Sequence, residues 1–181
     1  MLVQHRNHVL DTLTLLVNSC PPASEVDELS DLASIQRFIK ARTITEVEKL
    51  TSFEISQLHL VRNQFRAIFT APDDKSKIEL VNRVLSSARI TPRLVEHDHL
   101  GIHFHYFPPY ASLSEHLTAD CSMALAALID SGGVNRLRVC TGKNCSRVFV
   151  DYSRNASRTY CSSRTCGARV HAAAYRKRKS A

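Results

Sequence analysis

Apolar side chains recur every three or four residues over most of the first 130 positions, the spacing of helices with one buried face. Val9, Leu10, Leu13, Leu16 and Val17 make one stripe, which runs into Asn18, Ser19 and Cys20 before Pro21 and Pro22 stop the helix. Leu29, Leu32, Ala33, Gln36 and Ile39 make a second, with Ser24 or Asp27 as its cap. Thr45 followed three residues later by Glu48 reads as a capping box. It predicts a long third helix carrying Val47, Leu50, Ile55, Leu58, Val61, Phe65 and Ile68. Ala71-Pro72-Asp73-Asp74 breaks that pattern, and Ile78, Val81, Leu85 and Ala88 resume it in a fourth helix.

From Thr91 the period shortens to two. Arg93 to Asp98 and Ile102 to Phe107 alternate around Gly101, which predicts a β-hairpin. Its second strand sets Ile102, Phe104 and Tyr106 on one face and His103, His105 and Phe107 on the other. Pro108 and Pro109 end it. A last helix from about Leu113 to Ser131 carries Leu117, Cys121, Ala124, Leu125 and Leu128 and stops at Gly132-Gly133. The expected body, residues 1–135, is therefore a helical domain with one small β-hairpin.

Charge changes the picture from Arg136 onward. The 181-residue chain carries a net +7, yet residues 136–181 hold twelve Lys and Arg against the single acid Asp151, a net of +11. The first 135 residues hold twelve basic and sixteen acidic residues, a net of −4. Four of the six cysteines share the basic tail: Cys140 and Cys145, then Cys161 and Cys166, two C-x4-C pairs fifteen residues apart. Two short cysteine loops facing each other supply the four soft ligands of a closed tetrahedral zinc site. Two disulfides are the alternative, disfavoured in a reducing compartment. Four cysteines leave no open position for water, so the zinc is expected to be structural. A tail of this length buries little core, and structural zinc contributes about 10–16 kcal/mol of apparent free energy in small finger peptides. Arg138-Val139 and Arg147 to Val150 predict short strands around the first cysteine pair, Asp151 to Asn155 a turn, and Arg164 to about Lys179 a basic helix on which Cys166, Val170, Ala173 and Ala174 share a face. The fold class is thus mainly α, ending in a small zinc-binding β/α finger over residues 136–181.

Several chemistries find no support. The apolar run Met123 to Ile129 is too short to span a bilayer. His5, Arg6, Asn7, His8 and Asp11 interrupt any export-signal core, so a cytoplasmic protein without membrane contact is expected. Neither G-x-x-x-x-G-K nor G-x-G-x-x-G occurs, which disfavours nucleotide hydrolysis and dinucleotide chemistry. His97, His99, His103 and His105 alternate across the hairpin and are either ligands of a second, catalytic metal, a polar face, or histidines directed toward a partner. Cys20 and Cys121 read as small buried residues. No enzyme is expected.

Phe149-Val-Asp-Tyr-Ser-Arg-Asn-Ala-Ser-Arg-Thr-Tyr-Cys161 followed by Cys166-Gly-Ala-Arg169 resembles the CGNR zinc finger, with Ala168 where that motif has Asn. Leu15-Leu-Val-Asn-Ser19 and Phe107-Pro-Pro109 are similar to the ABATE domain usually joined to it. The resemblance implies a bacterial DNA-binding transcription regulator. The residues agree, since Arg154, Arg158, Arg164, Arg169, Arg176, Lys177, Arg178 and Lys179 form a cationic set suited to phosphate. Arg169 and Arg176, seven apart on a helix, project from nearly one side and with Arg178 are the leading contacts. Arg154 and Arg158 serve either phosphate or Asp151 and nearby carbonyls. The expected partners are DNA, a second copy of the chain, and a small molecule sensed by the body. The alternative is a finger that docks on RNA or on a protein.

Overall fold

A computed structural model describes residues 3–22, 24, 26–47, 50–96 and 101–179. Six α-helices and two antiparallel hairpins are seen among them, and 57% of these described residues are helical. Helices α1 (Val3–Asn18), α3 (Ser52–Thr70), α4 (Asp74–Ser87) and α5 (Leu113–Asp130) pack together, with the shorter α2 (Leu32–Ala41) against α3. Their stripes meet in one core, in which Leu10, Leu13, Leu16, Ile35, Leu58, Phe65, Ile68, Leu113 and Leu125 are fully buried.

The helix ends follow local chemistry. Asp31 caps α2 in a reciprocal box with Ser34, about one turn beyond the expected Asp27 and two beyond Ser24. Ser112 and Glu115 form the same device at α5. The predicted start of the third helix is corrected: α3 begins at Ser52, not Thr45. Thr43 and Glu46 hold φ of 52° and 56°, a left-handed backbone that an α-helix does not continue through. Val47 and Leu50 reach the core from this loop, while Glu48 lies outside the described residues. Asp27 instead holds Arg62: two charge-assisted bonds of 2.7 Å join its carboxylate to a guanidinium that also donates to Ser19 Oγ at 3.1 Å. This clasp ties α3 to the loop after α1.

Strands β1 (Arg93–Glu96) and β2 (Ile102–His105) form the predicted hairpin, with Leu94 opposite Phe104 and Val95 opposite His103. The alternation is as expected, and the structure adds which face of β2 is buried. Ile102 and Phe104 are exposed, whereas His103 and His105 are inside. Histidines His97 and His99 lie outside the described residues.

After α5 the chain turns at Gly132 and Gly133 through a short 3-10 turn into β3 (Leu137–Val139), which pairs with β4 (Val148–Val150). Leu137, Val148 and Val150 are buried in the same core as the helices. The Asn18 side chain closes the junction: its Nδ2 donates to the Val148 carbonyl and its Oδ1 accepts from the Val148 N–H, both at 2.8 Å. One amide side chain thereby satisfies both backbone groups that Val148 turns away from β3. Arg66 from α3 adds bonds to the carbonyls of Val17 and Ser146. No described helix is long and apolar enough to cross a membrane.

Candidate metal centre

The β3–β4 hairpin presents Cys140 at the end of one strand and Cys145 in the turn. The Cys145 N–H donates to the Gly142 carbonyl at 3.0 Å, closing a tight knuckle. The second pair comes from the loop after β4. There Asp151, fully buried, accepts from the N–H groups of Ser153 and Arg158 at 2.8 and 2.7 Å. Burial alone would raise its carboxyl pKa, but these hydrogen bonds and the Arg158 charge hold it below the ordinary carboxylate value. Arg136 clamps the same turn by donating to the Asp151 and Ser153 carbonyls at 2.7 Å. The loop is thus set before it delivers Cys161. A π-helical turn, Ser163–Gly167, then carries Cys166 and leads into α6 (Ala168–Lys179).

The four sulfurs lie within 4.8 Å of one another. Cys161 Sγ is 3.8 Å from both Cys145 Sγ and Cys166 Sγ. A Zn–S bond of about 2.3 Å sets the sulfurs of a regular tetrahedron about 3.8 Å apart, whereas a disulfide needs about 2.05 Å. All four cysteines are free, so zinc geometry is met and the disulfide alternative is not. Gly142 allows the approach, because a Cβ there would lie 3.2 Å from Cys166 Cβ and 3.4 Å from the sulfurs of Cys140 and Cys166. Among the described residues this is the one cluster whose donor atoms are already gathered for a metal.

Electrostatics point the same way. Burial and the neighbouring sulfurs push the Cys161 thiol far above its usual pKa, and burial raises Cys145. Cys140 is opposed by burial yet held below its ordinary value by N–H groups of Cys161 and Gly142 aimed at its sulfur, at 3.3 and 3.4 Å. A dication among the four sulfurs is what favours the thiolate forms that ligation requires. Cys140, Cys145, Cys161 and Cys166 would hold one zinc ion, whose contribution is to lock the two knuckles together.

The cationic residues surround this centre. Arg154 and Arg164 are exposed beside it, and Arg169, Arg176, Arg178 and Lys179 are exposed along α6, to which Lys177 also belongs. Arg158 is used internally: its guanidinium donates to the Cys161 carbonyl at 3.0 Å and lies 5.4 Å from the Phe149 ring centre. Arg138 acts likewise on the Asn135 and Ala156 carbonyls. Among the described residues no ion pair engages Arg154, Arg164, Arg169 or Arg178. The positional roles of Asn18, Gly142 and Arg136 lie outside the sequence reading; the glycine inside the first C-x4-C loop was the one local signal.

Comparison with known proteins agrees with this geometry. Residues 136–179 match the CGNR zinc finger, and residues 10–132 match ABATE, described as "Putative stress-induced transcription regulator". No curated protein matches the chain. With two-thirds of its length in the ABATE match and its four-cysteine centre in the CGNR match, the chain belongs to the ABATE family and carries a CGNR zinc finger after it.

Proposed function

We propose that this is a zinc-dependent DNA-binding transcription regulator of the cytoplasm, in which residues 136–181 form the DNA-binding module and residues 1–135 sense or dimerise. The observation that carries the reading is the concentration of charge: twelve basic residues and one acid over 46 positions, with that acid buried inside the fold. The outward charge of the finger is therefore entirely positive. Arg154, Arg164, Arg169, Arg176, Lys177, Arg178 and Lys179 are the proposed phosphate and base contacts. Arg169 stands where the π-helical turn passes into α6, beside a groove between α1 and the finger that Arg147 also lines. The zinc ion has a structural role, holding the cations in one arrangement, and the reading assigns the chain no catalytic step.

The test is a salt titration of duplex binding by the zinc-loaded protein. Each lost phosphate contact lowers the slope of log K against log salt by about 0.9. The variant with Arg169, Arg176 and Arg178 all changed to Ala is expected to lose about 2.7 from that slope. An unchanged slope overturns the assignment. Equal enrichment of all genomic fragments in a pull-down favours an RNA or protein partner instead.

A further inference from the structure

A cavity of about 50 Å³ lies between α1, the loop after α2, β2 and α5, apart from the zinc centre. One water takes about 10–15 Å³, so the space suits a molecule of only a few non-hydrogen atoms. Helix α1 contributes His5, His8, Val9 and Thr12 to the wall, at the spacing of one helix face.

Two histidines on that wall lack partners that burial demands. His5 is 6% exposed, and neither of its ring nitrogens has a hydrogen-bond partner among the described residues. Burial, with His103 beside it, holds its pKa below the ordinary value, so the ring is neutral and carries one unmet N–H and one unmet lone pair. A buried polar ring in that state is costly unless a ligand meets it. His116 donates from Nε2 to Asp120 at 3.2 Å and leaves its own Nδ1 without a partner.

Next to this wall stands a charge without a counter-ion. Arg42 Nε donates to Thr12 Oγ1 at 3.0 Å and Nη2 to the His8 carbonyl at 3.3 Å, both neutral acceptors. Among the described residues no carboxylate pairs with this half-buried guanidinium. Asp120, the acid on the cavity wall, is already engaged by His116 and by the Tyr106 N–H at 2.9 Å. His5 and His8 are three residues apart, about 4.5 Å along the helix axis. A short acid with its carboxylate on Arg42 therefore brings its next polar group to His5. A hydroxyl there answers both unmet nitrogens, since it donates and accepts, whereas a carbonyl answers one. Val9, Ile44, Leu117 and Cys121 give the cavity apolar walls, which suit a hydrocarbon backbone better than an anion polar on every side.

We propose that the body binds a short-chain hydroxycarboxylic acid in this cavity, its carboxylate on Arg42 and its hydroxyl on His5. The site rests on, and deepens, the sensing role proposed for residues 1–135. Binding is read without DNA, so its failure and a failure of the finger to bind DNA are separate results.

The test titrates glycolate into the full-length, zinc-loaded protein, followed by NMR of the protein. Saturable binding of one glycolate per chain is expected, with a Kd of about 1 mM or below, within reach of so small a ligand. Glycolamide, which lacks the charge, and acetate, which lacks the hydroxyl, are each expected to bind about tenfold more weakly. Those comparisons use the wild-type protein and do not depend on how a variant folds. Arg42→Gln is expected to lower glycolate affinity about tenfold, and His5→Phe to abolish the preference for glycolate over acetate. Absence of saturable glycolate binding overturns the proposal. So does glycolamide or inorganic phosphate binding as tightly as glycolate, or a preference over acetate that His5→Phe leaves unchanged.

Discussion

Asn18 illustrates how much one side chain can carry. Its amide meets the N–H and the C=O of Val148 together, in a buried setting. Asn18→Ala is expected to leave both backbone groups unsatisfied and to destabilise the protein by about 2–6 kcal/mol, from about 1–3 kcal/mol for each such group. Urea unfolding of the zinc-saturated protein measures it. Gly142→Ala acts on the other side of β4: the new Cβ presses on Cys166 and two sulfurs, so zinc should be surrendered to a chelator at lower chelator concentration. The cysteine ligands were legible because their spacing is local. Asn18 was not, because its partner lies 130 positions away and at a helix end it looks like any polar stop signal.

At the scale of elements, capping and clasping decide where helices begin. Arg62 on α3 is buried, and Asp27 is its counter-charge. Asp27→Ala strands that guanidinium and is expected to cost about 3 kcal/mol. The pair also predicts a pH dependence. Burial works against the Asp27 carboxylate, but hydrogen bonds from Arg62 and the Leu29 N–H, with the Arg62 charge, hold its pKa below the ordinary value. A lowered native pKa gives stability that is complete above the unfolded carboxylate value, near 3.9, and lost as pH falls through the native one. Unfolding measured from pH 6 downward should therefore decline less steeply in Asp27→Asn than in wild type. Helix stripes and hairpin alternation were readable from period alone, since both periods are set by backbone geometry. The start of α3 was not, because the Thr45 and Glu48 signature is satisfied equally well by a loop that turns through left-handed Thr43 and Glu46. Nor was the inward face of β2. Hydropathy places Ile102 and Phe104 inside, yet the histidine face meets His5 and His116 from two helices that local sequence cannot bring near.

Over the whole molecule, the two matched families share one core. Leu137, Val148 and Val150 follow the last ABATE residue in sequence but are buried with Leu13, Leu16 and Phe65. Zinc removal is therefore expected to divide the finger. Hydrogen exchange after chelation should rise in residues 140–146 and 152–179, which depend on the cysteine centre, while the Val148 and Val150 amides stay protected by the core. Uniform loss of protection across 136–179 would show that zinc holds the strands as well.

The Asn18 junction also bears on how such proteins can be recombined. A finger grafted onto a different helical body at residue 133 would carry an apolar ribbon into water and leave its former host with an open flank. The structural unit is α1 together with the finger, so diversification of the body is expected to spare the α1 face that meets β4 and to act on α2, the hairpin and the loops between them.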